Sequence, residues 1–506
     1  MAAAPGAAQG PPLRAVEVVR EDVFDAAESR AWPFRVATWL HVTTRERVVR
    51  REVLLVPGAP WDSARAAETE RNLRALGIFR RVRLDTLTTD SGLVARVTTR
   101  DGWTTRPVFS LSTSGGQAAV AAGVREDNLL GLGARFSAEY RTNPDREQVI
   151  LAFRQPRAIG SRVLVSARAD FRSDGRDYRA GAGLPYLSLS SRASALASGL
   201  TFDGDVLRFR DGDPRPAEVL RRRYALLRAD GGWAPVASPR GFVRVAALAQ
   251  LRRDDFVDTA LVGAAPFPST VTGAVGIGLA ARRADFAIVR NVRSFLREED
   301  VDLSRAAALT LLAAPAAWGY PRDGIGVALG LQAGFRIPAG FVQLGASANG
   351  LWTGAGLDSG TVVARATVVV QPHPMHVVTV GGTAGWQEDQ VPGEEFDLGL
   401  TSGPRAFPLH AFTGDRSYFV TAEYRWTAWE DLYGLAGIGA AAFVDHGGAW
   451  YAGSTRRTGT NLGAGLRFGS SRTSQGSAGR LDLAWRVAND REPAGWVISV
   501  GQAVRF

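Results

Sequence analysis

Beyond Trp103 the chain alternates apolar and polar residues in runs of about ten, separated by turn signals, which is the period of strands with one face in an apolar medium. Arg162 to Arg172 is the clearest run. Val163, Val165, Ala167, Ala169 and Phe171 share one face, and Arg162, Ser166, Arg168, Asp170 and Arg172 share the other. The turn Ser173-Asp174-Gly175 follows, and then another run through Tyr178 to Leu184. Late in the chain, Leu481, Leu483, Trp485 and Val487 oppose Arg480, Asp482 and Arg486, and the last run places Trp496, Ile498, Val500, Val504 and Phe506 on one face.

The first hundred residues read differently. Val16 to Arg20 predicts a short strand, and Thr43 with Glu46 reads as a capping box before Val48, Val49, Val53 and Leu54. Pro57-Gly58 stops that helix. A second helix is predicted from Trp61 to Leu76, with Asp62 and Ser63 near its start and Gly77 just past its end. Two strands, Phe79 to Leu87 and Leu93 to Thr99, follow around a turn at Thr89, Asp90 and Ser91. The order strand-helix-helix-strand-strand predicts a small α/β domain over 14–102, after a flexible segment 1–13 and before a mainly β domain over 103–506.

A soluble sandwich also alternates, because one face of each sheet is buried. Three features point instead to an antiparallel transmembrane β-barrel. Strands continue for about 400 residues without a helix, arginine and aspartate sit mid-strand on the polar face, and Phe171, Trp426, Trp485 and Trp496 lie near strand ends, where an interfacial girdle places aromatics. No stretch reaches the roughly 18 consecutive apolar residues of a transmembrane helix.

Composition changes this picture in two ways. The net charge is +10 and every basic residue is arginine, a balance that by itself suggests nucleic acid or an anionic membrane. There is no cysteine, which excludes disulfides, thiolate metal sites and cysteine nucleophiles. Met1 to Pro12 lacks the basic n-region and apolar h-region of a signal peptide, which leaves a chain that starts after a cleavage site or, as the bland alternative, a cytoplasmic protein.

With these residues in view, the sequence resembles the BamA/TamA superfamily of outer-membrane insertases and translocases and its two-partner-secretion relatives. The small domain resembles a POTRA domain, and Glu68 to Phe79 resembles its second helix and exit. Arg125 to Gly133 resembles the periplasmic turn after the second barrel strand, and Pro156-Arg157 through Gly160-Ser161-Arg162 the next. Pro404-Arg405-Ala406-Phe407 stands where the family carries (V/I)-R-G-(F/Y) at the tip of a loop that folds back into the lumen, after the loop Gln387 to Gly403. It departs at Pro404 and Ala406. Phe443-Val444-Asp445-His446-Gly447 fits the family's F-x-D-x-G wall motif in full. The resemblance implies that Arg405 reaches Asp445 across the lumen. Reversing the charge at Asp445 is then expected to cripple the barrel, with partial rescue by reversing Arg405. It also implies that Trp496, Val504 and Phe506 belong to a C-terminal strand signal, and that the barrel has 16 strands. The alternating runs themselves number nearer 20.

What the resemblance implies is a non-enzymatic barrel of the bacterial outer membrane with its POTRA domain in the periplasm. It would receive unfolded outer-membrane or secreted clients and insert or translocate them, in contact with the bilayer, lipopolysaccharide and accessory assembly proteins. The first strand (Pro107 to Ser112) and the last (Gly495 to Phe506) would form a lateral seam, weakened at Thr113 to Gln117 and at Gly501. A two-partner-secretion pore and a passive porin-like channel are the alternatives. Other chemistry finds little footing, and neither a catalytic residue, a metal site, a cofactor nor a nucleic-acid partner is expected. Gly276-x-Gly278-x-x-Ala281 lacks the helix of a dinucleotide site. His373 and His376 flank Pro374 at a spacing no zinc motif uses, and Arg221-Arg222-Arg223 reads first as a solvated run.

Overall fold

The computed structural model describes residues 12–24, 35, 39, 41–90, 92–114, 117–158, 162–210, 212–258, 269–295, 298–400, 402–473 and 478–502. The chain divides into two compact units. One comprises Met1–Arg106, Arg125–Phe136 and Arg472–Gln475, and the other the remainder.

In the smaller unit, β1 (Leu13–Glu21), β2 (Phe79–Thr89) and β3 (Gly92–Asp101) form a sheet of order β1-β3-β2, with β1 parallel to β3. Helices α1 (Glu46–Glu52) and α2 (Ser63–Ala75) lie between β1 and β2 in sequence. Val49, Leu73, Ile78, Phe79 and Val97 are its buried apolar centre. Asp62 caps α2 by accepting from the backbone N–H of Ala64 and Arg65 at 2.9 and 3.0 Å, and Gly77 takes the left-handed φ of +69° that ends it. The capping box expected at Thr43 and Glu46 is not formed: α1 begins after Arg45 with no side-chain cap. Its neighbour Thr44 is engaged elsewhere, donating from N and Oγ1 to the buried Asp101 at 2.7 and 2.9 Å.

The larger unit is a closed barrel of twenty strands, a correction to the expected sixteen. The first ten are β4 (Thr105–Ser114), β5 (Gln117–Leu129), β6 (Ala134–Thr142), β7 (Glu147–Ala158), β8 (Val163–Arg172), β9 (Gly175–Leu184), β10 (Ala193–Arg208), β11 (Glu218–Ser238), β12 (Gly241–Asp258) and β13 (Thr270–Arg283). A separate hairpin, β14 (Phe286–Arg290) with β15 (Glu298–Asp302), interrupts the wall. Five more wall strands follow: β16 (Arg305–Ala314), β17 (Gly324–Ile337), β18 (Gly340–Thr353), β19 (Gly356–His373) and β20 (His376–Glu388). Next comes a long insertion holding the short pair β21 (Phe396–Leu398) and β22 (Phe412–Gly414). The wall ends with β23 (Arg416–Leu432), β24 (Ala436–Trp450), β25 (Gly459–Ser470), β26 (Gly479–Arg486) and β27 (Gly495–Gln502).

The count agrees with the alternating runs, which number nearer 20, and not with the 16 that the resemblance implies. The strands are also long: β10 runs on to Arg208, paired with β11 through Arg208↔Glu218. The same extension answers the arginine run. Arg221, Arg222 and Arg223 sit on β11 facing carboxylates of neighbouring strands, at 2.6 Å to Asp203, 2.7 Å to Asp254 and 3.8 Å to Asp203 respectively. Gly276 and Gly278 lie inside β13.

The period-2 pattern sorts the two faces. Leu227, Leu251, Ile277, Leu462, Leu466 and Ile498 are exposed on the outer face, as a lipid-facing band requires. Trp485 and Trp496 pack edge-to-face at 5.1 Å across β26 and β27. On the inner face charges pair two residues apart along one strand, which the pleat brings to the same side. Examples are Arg168–Asp170 at 2.8 Å and Arg179–Asp177 at 2.7 Å. These pairs place arginine on the inner lining of the wall.

Candidate functional site

Strand direction alternates around the barrel, so the hairpin after β13 and the insertion after β20 enter the lumen from opposite mouths. The hairpin enters at the mouth where β4 starts. The insertion, residues 389–415, turns at Pro404–Phe407, where Phe407 N donates to Pro404 O at 3.3 Å. Gly403 carries the left-handed φ of +85°, and Ala406 does not have positive φ, so alanine is accommodated there without strain.

Arg405 is 2% exposed and its guanidinium carbon lies over Phe443, 3.6 Å from the ring centroid. Its Nε donates to Asp445 Oδ2 at 2.7 Å and its Nη2 to Oδ1 at 3.1 Å, the two-pronged geometry that suits arginine. Asp445 also accepts from Arg405 N at 3.3 Å, Thr421 Oγ1 at 2.7 Å and Asn461 Nδ2 at 3.0 Å. The pair is not isolated. Arg405 Nη1 reaches Asp482 at 2.8 Å and Glu423 at 3.4 Å. Arg467 bridges the same two carboxylates, at 2.6 Å to Asp482 and 2.9 Å to Glu423. Arg480 adds 2.5 Å to Asp482, and Arg425 adds 2.5 Å to Glu423. Four guanidinium groups (405, 425, 467, 480) therefore meet three carboxylates (423, 445, 482), all drawn from the insertion and from β23 to β26. Of these seven residues, the motifs single out Arg405 and Asp445. Asp482 and Arg480 were read only as alternating lumen positions, and Glu423, Arg425 and Arg467 were not singled out.

The remaining motif positions make room for this contact. Phe407 is fully buried against Phe412, with ring centroids 5.1 Å apart, and lies over Gly459, where a Cβ would fall 2.3 Å from its Cζ. A Cβ on Gly447 would meet Tyr418 O at 2.3 Å, and one on Gly463 would meet Phe443 Cζ at 2.6 Å. Pro404 is buried at the turn. Of the C-terminal positions, Trp496 is on the outer face, 64% exposed, while Val504 and Phe506 lie outside the described residues.

A second anchor of the insertion carries no motif. His410, at φ +58°, stacks on Phe209 with ring centroids 3.4 Å apart, and its Nε2 lies 2.9 Å from Asp145 while its Nδ1 bonds Asp397. Burial works against a charge there, but the two carboxylates outweigh it and hold the imidazole pKa up at about 9. His410 has two carboxylate partners, a pairing that nothing in its local sequence signals.

At the seam, β27 pairs with β4 at Ser499↔Ser112 and Val500↔Leu111 among the described residues. Thr113 Oγ1 adds one side-chain bond to Ile498 O at 2.6 Å.

The sequence matches no protein-family model and no curated protein. Among solved structures, the chain is similar to CdiB from Escherichia coli, with a TM-score of 0.50 and 13% identity, covering 97% of this chain and 76% of that one. It also aligns with BamA from Haemophilus ducreyi lacking POTRA domains 1–3, with a TM-score of 0.43 and 12% identity over 96% of this chain and 84% of that one. The likeness to CdiB is one of fold.

Proposed function

We propose that this chain is an outer-membrane barrel of the BamA/TamA kind that inserts client polypeptides into that membrane or moves them across it. In this reading the small α/β unit is a periplasmic POTRA domain that offers a sheet edge to an extended client. The observation that carries the reading is the seam. The barrel closes where β27 meets β4, with Ser499↔Ser112 and Val500↔Leu111 paired among the described residues, so the first and last strands are the pair that opening would part. An opened seam exposes strand edges, and an edge templates the next strand. The network around Arg405 and Asp445 fixes β23 to β26 as a rigid arc, so that opening falls at the seam rather than beside it.

A second reading, an export pore, is favoured by a different observation. Barrels of this strand number enclose a lumen wide enough for a channel unless something fills it, and here two insertions enter it from opposite mouths. The two readings separate on one variant. Leu111 and Val500 are cross-strand partners, and the chain has no cysteine of its own. Oxidised L111C/V500C closes the seam covalently. The insertase reading expects client insertion into liposomes to stop under oxidation and return on reduction, with ion conductance unchanged. Insertion that continues through a locked seam refutes it.

A further inference from the structure

The hairpin β14–β15 is held by polar side chains of its own segment, Asp285 to Arg336 at 2.7 Å, Asp302 to Arg282, and Asn291 to Glu430 and to Pro374 O, and also through its backbone. Wall side chains donate to its backbone carbonyls. Arg336 Nη2 reaches Phe286 O at 2.7 Å, Gln371 Nε2 reaches Arg290 O at 2.7 Å, Gln343 Nε2 reaches Asp302 O at 2.8 Å and Arg425 Nη1 reaches Val292 O at 2.6 Å. These donors come from four wall strands, β17, β19, β18 and β23, all on the inner face near the same mouth. Beneath the hairpin, Val292, Val301 and Leu303 pack on Phe341, Val369 and Val377 of the wall. At its tip Phe295 packs against Ala478 and over Gly437, where a Cβ would fall 2.2 Å from its ring. The hairpin thus spans the mouth from β13 to the segment between β25 and β26. A cavity of about 470 Å³ remains beside it, lined by Ile288, Arg290, Glu298, Arg336, Gln371 and Glu430.

Carbonyl oxygens are common to every residue, so donors aimed at them recognise an extended chain whatever its sequence. An apolar floor adds preference for alternate apolar side chains, the same logic as strand addition. We propose that the inner wall at this mouth is a binding site for an extended polypeptide, that the hairpin is its resident occupant, and that a client entering the lumen takes the hairpin's place. This rests on the reading of the protein as one that handles unfolded clients, and it assigns those clients a first contact in the barrel.

The test uses two forms of the chain. In the first, residues 285–303 are replaced by a short Gly-Ser turn, which the pairing of Arg283 with Arg305 allows. The probe is a fluorescein-labelled peptide copying residues 285–303, with a second peptide of the same composition shuffled so that its apolar alternation is kept. Binding to the barrel in lipid nanodiscs is read by fluorescence anisotropy. Both peptides are expected to bind, and R336A/Q343A/Q371A in the same background to weaken binding about a hundredfold, at roughly fivefold per lost donor. The second form is the full chain with F295C/A478C. Its reduced form is expected to bind the peptide and its oxidised form not to. Binding by neither peptide, binding only by the native order, or equal binding by reduced and oxidised full chain overturns the proposal. Peptide binding without any client insertion or export removes the functional reading and leaves the site standing. Client handling without peptide binding removes the site alone.

Discussion

Asp445→Asn is the sharpest perturbation of the buried network, because it changes charge and almost nothing else. Asp445 is fully buried and accepts five hydrogen bonds, three of them on Oδ2 from Arg405 N, Arg405 Nε and Asn461 Nδ2. An asparagine keeps these only by placing its oxygen at the Oδ2 position. Its amide nitrogen then faces Thr421 Oγ1, which can turn and accept, and Arg405 Nη2, which cannot. The variant therefore loses one charge-assisted bond, opposes two donors, and raises the excess of guanidinium over carboxylate from one to two. Removing one partner of a buried pair outright costs about 3–5 kcal/mol. Arg405 retains Asp482 and Glu423, so the lower end, about 3 kcal/mol, is the expected loss. Urea unfolding of the refolded barrel in detergent, followed by the shift between its folded and heat-unfolded gel mobility, measures it. A change below about 0.5 kcal/mol, the range of neutral surface substitutions, would refute the reasoning. The network also revises the charge-swap expectation. In R405D/D445R the new carboxylate faces Asp482 and Glu423, and the new guanidinium no longer serves them, so the swap is expected to be no more stable than D445R alone.

Three further outcomes follow from the geometry. Because the His410 pKa is raised to about 9, its contribution of about 3 kcal/mol is full below pH 6.5 and is lost as pH rises through 9; hydrogen exchange in residues 389–415 should quicken over that window, and in His410→Ala it should be fast throughout. In the small unit the Asp101 carboxyl is pushed up to about 6 by burial, against the pull of Thr44 and His41, so that unit should lose roughly 3 kcal/mol as pH rises from 4 to 6. Asp101→Asn should abolish that slope in a pH series of hydrogen exchange over residues 13–101. Gly459→Val should expel Phe407 from beneath the insertion and destabilise by about 1–3 kcal/mol or more, and pairing it with Phe407→Ala should recover part of the loss in the same urea assay.

How much of this is legible in the sequence depends on whether a feature is periodic or depends on what lies opposite. Alternation at Val163 to Phe171 or Leu481 to Val487 is set by the pleat, so outer and inner faces can be read directly. Strand number follows from the same alternation, whose runs come near the twenty strands of the wall, whereas the 16 implied by the resemblance does not hold. Alternation does not separate wall from lumen: nothing in Phe286 to Arg290 or Glu298 to Asp302 states that they cross a mouth. The trace of that crossing lies elsewhere, in Gly334 and Gly437, whose missing side chains admit Leu303 and Phe295. Arg405 and Asp445 can be singled out by motif. Glu423, Arg425, Arg467 and Arg480 cannot, since each taken alone is indistinguishable from a hydrated lumen residue and acquires its partners only when β23 to β26 stand side by side.

Glu423 shows why those partners matter together. Through Oε2 it holds Arg467 at 2.9 Å and Arg405 at 3.4 Å, and so the insertion from one mouth. Through Oε1 it holds Arg425, whose Nη1 bonds Val292 O in the hairpin from the other. One carboxylate on the wall thus joins the two elements that occupy the lumen. The joint requires arginine. A lysine presents one compact ammonium, whereas a guanidinium sends Nε to one acceptor and Nη1 to another in a fixed plane, as Arg405 does to Asp445 and Asp482 and Arg425 does to Glu423 and Val292. The shared carboxylate makes the two insertions energetically dependent. Displacing the hairpin, as proposed above, would free Arg425 Nη1 from Val292 O beside a carboxylate that also contacts Arg405. The coupling predicts that Glu423→Gln, which weakens both holds at once, makes hairpin and insertion exchange hydrogen independently of each other, where in the parent chain a lesion in either one quickens both.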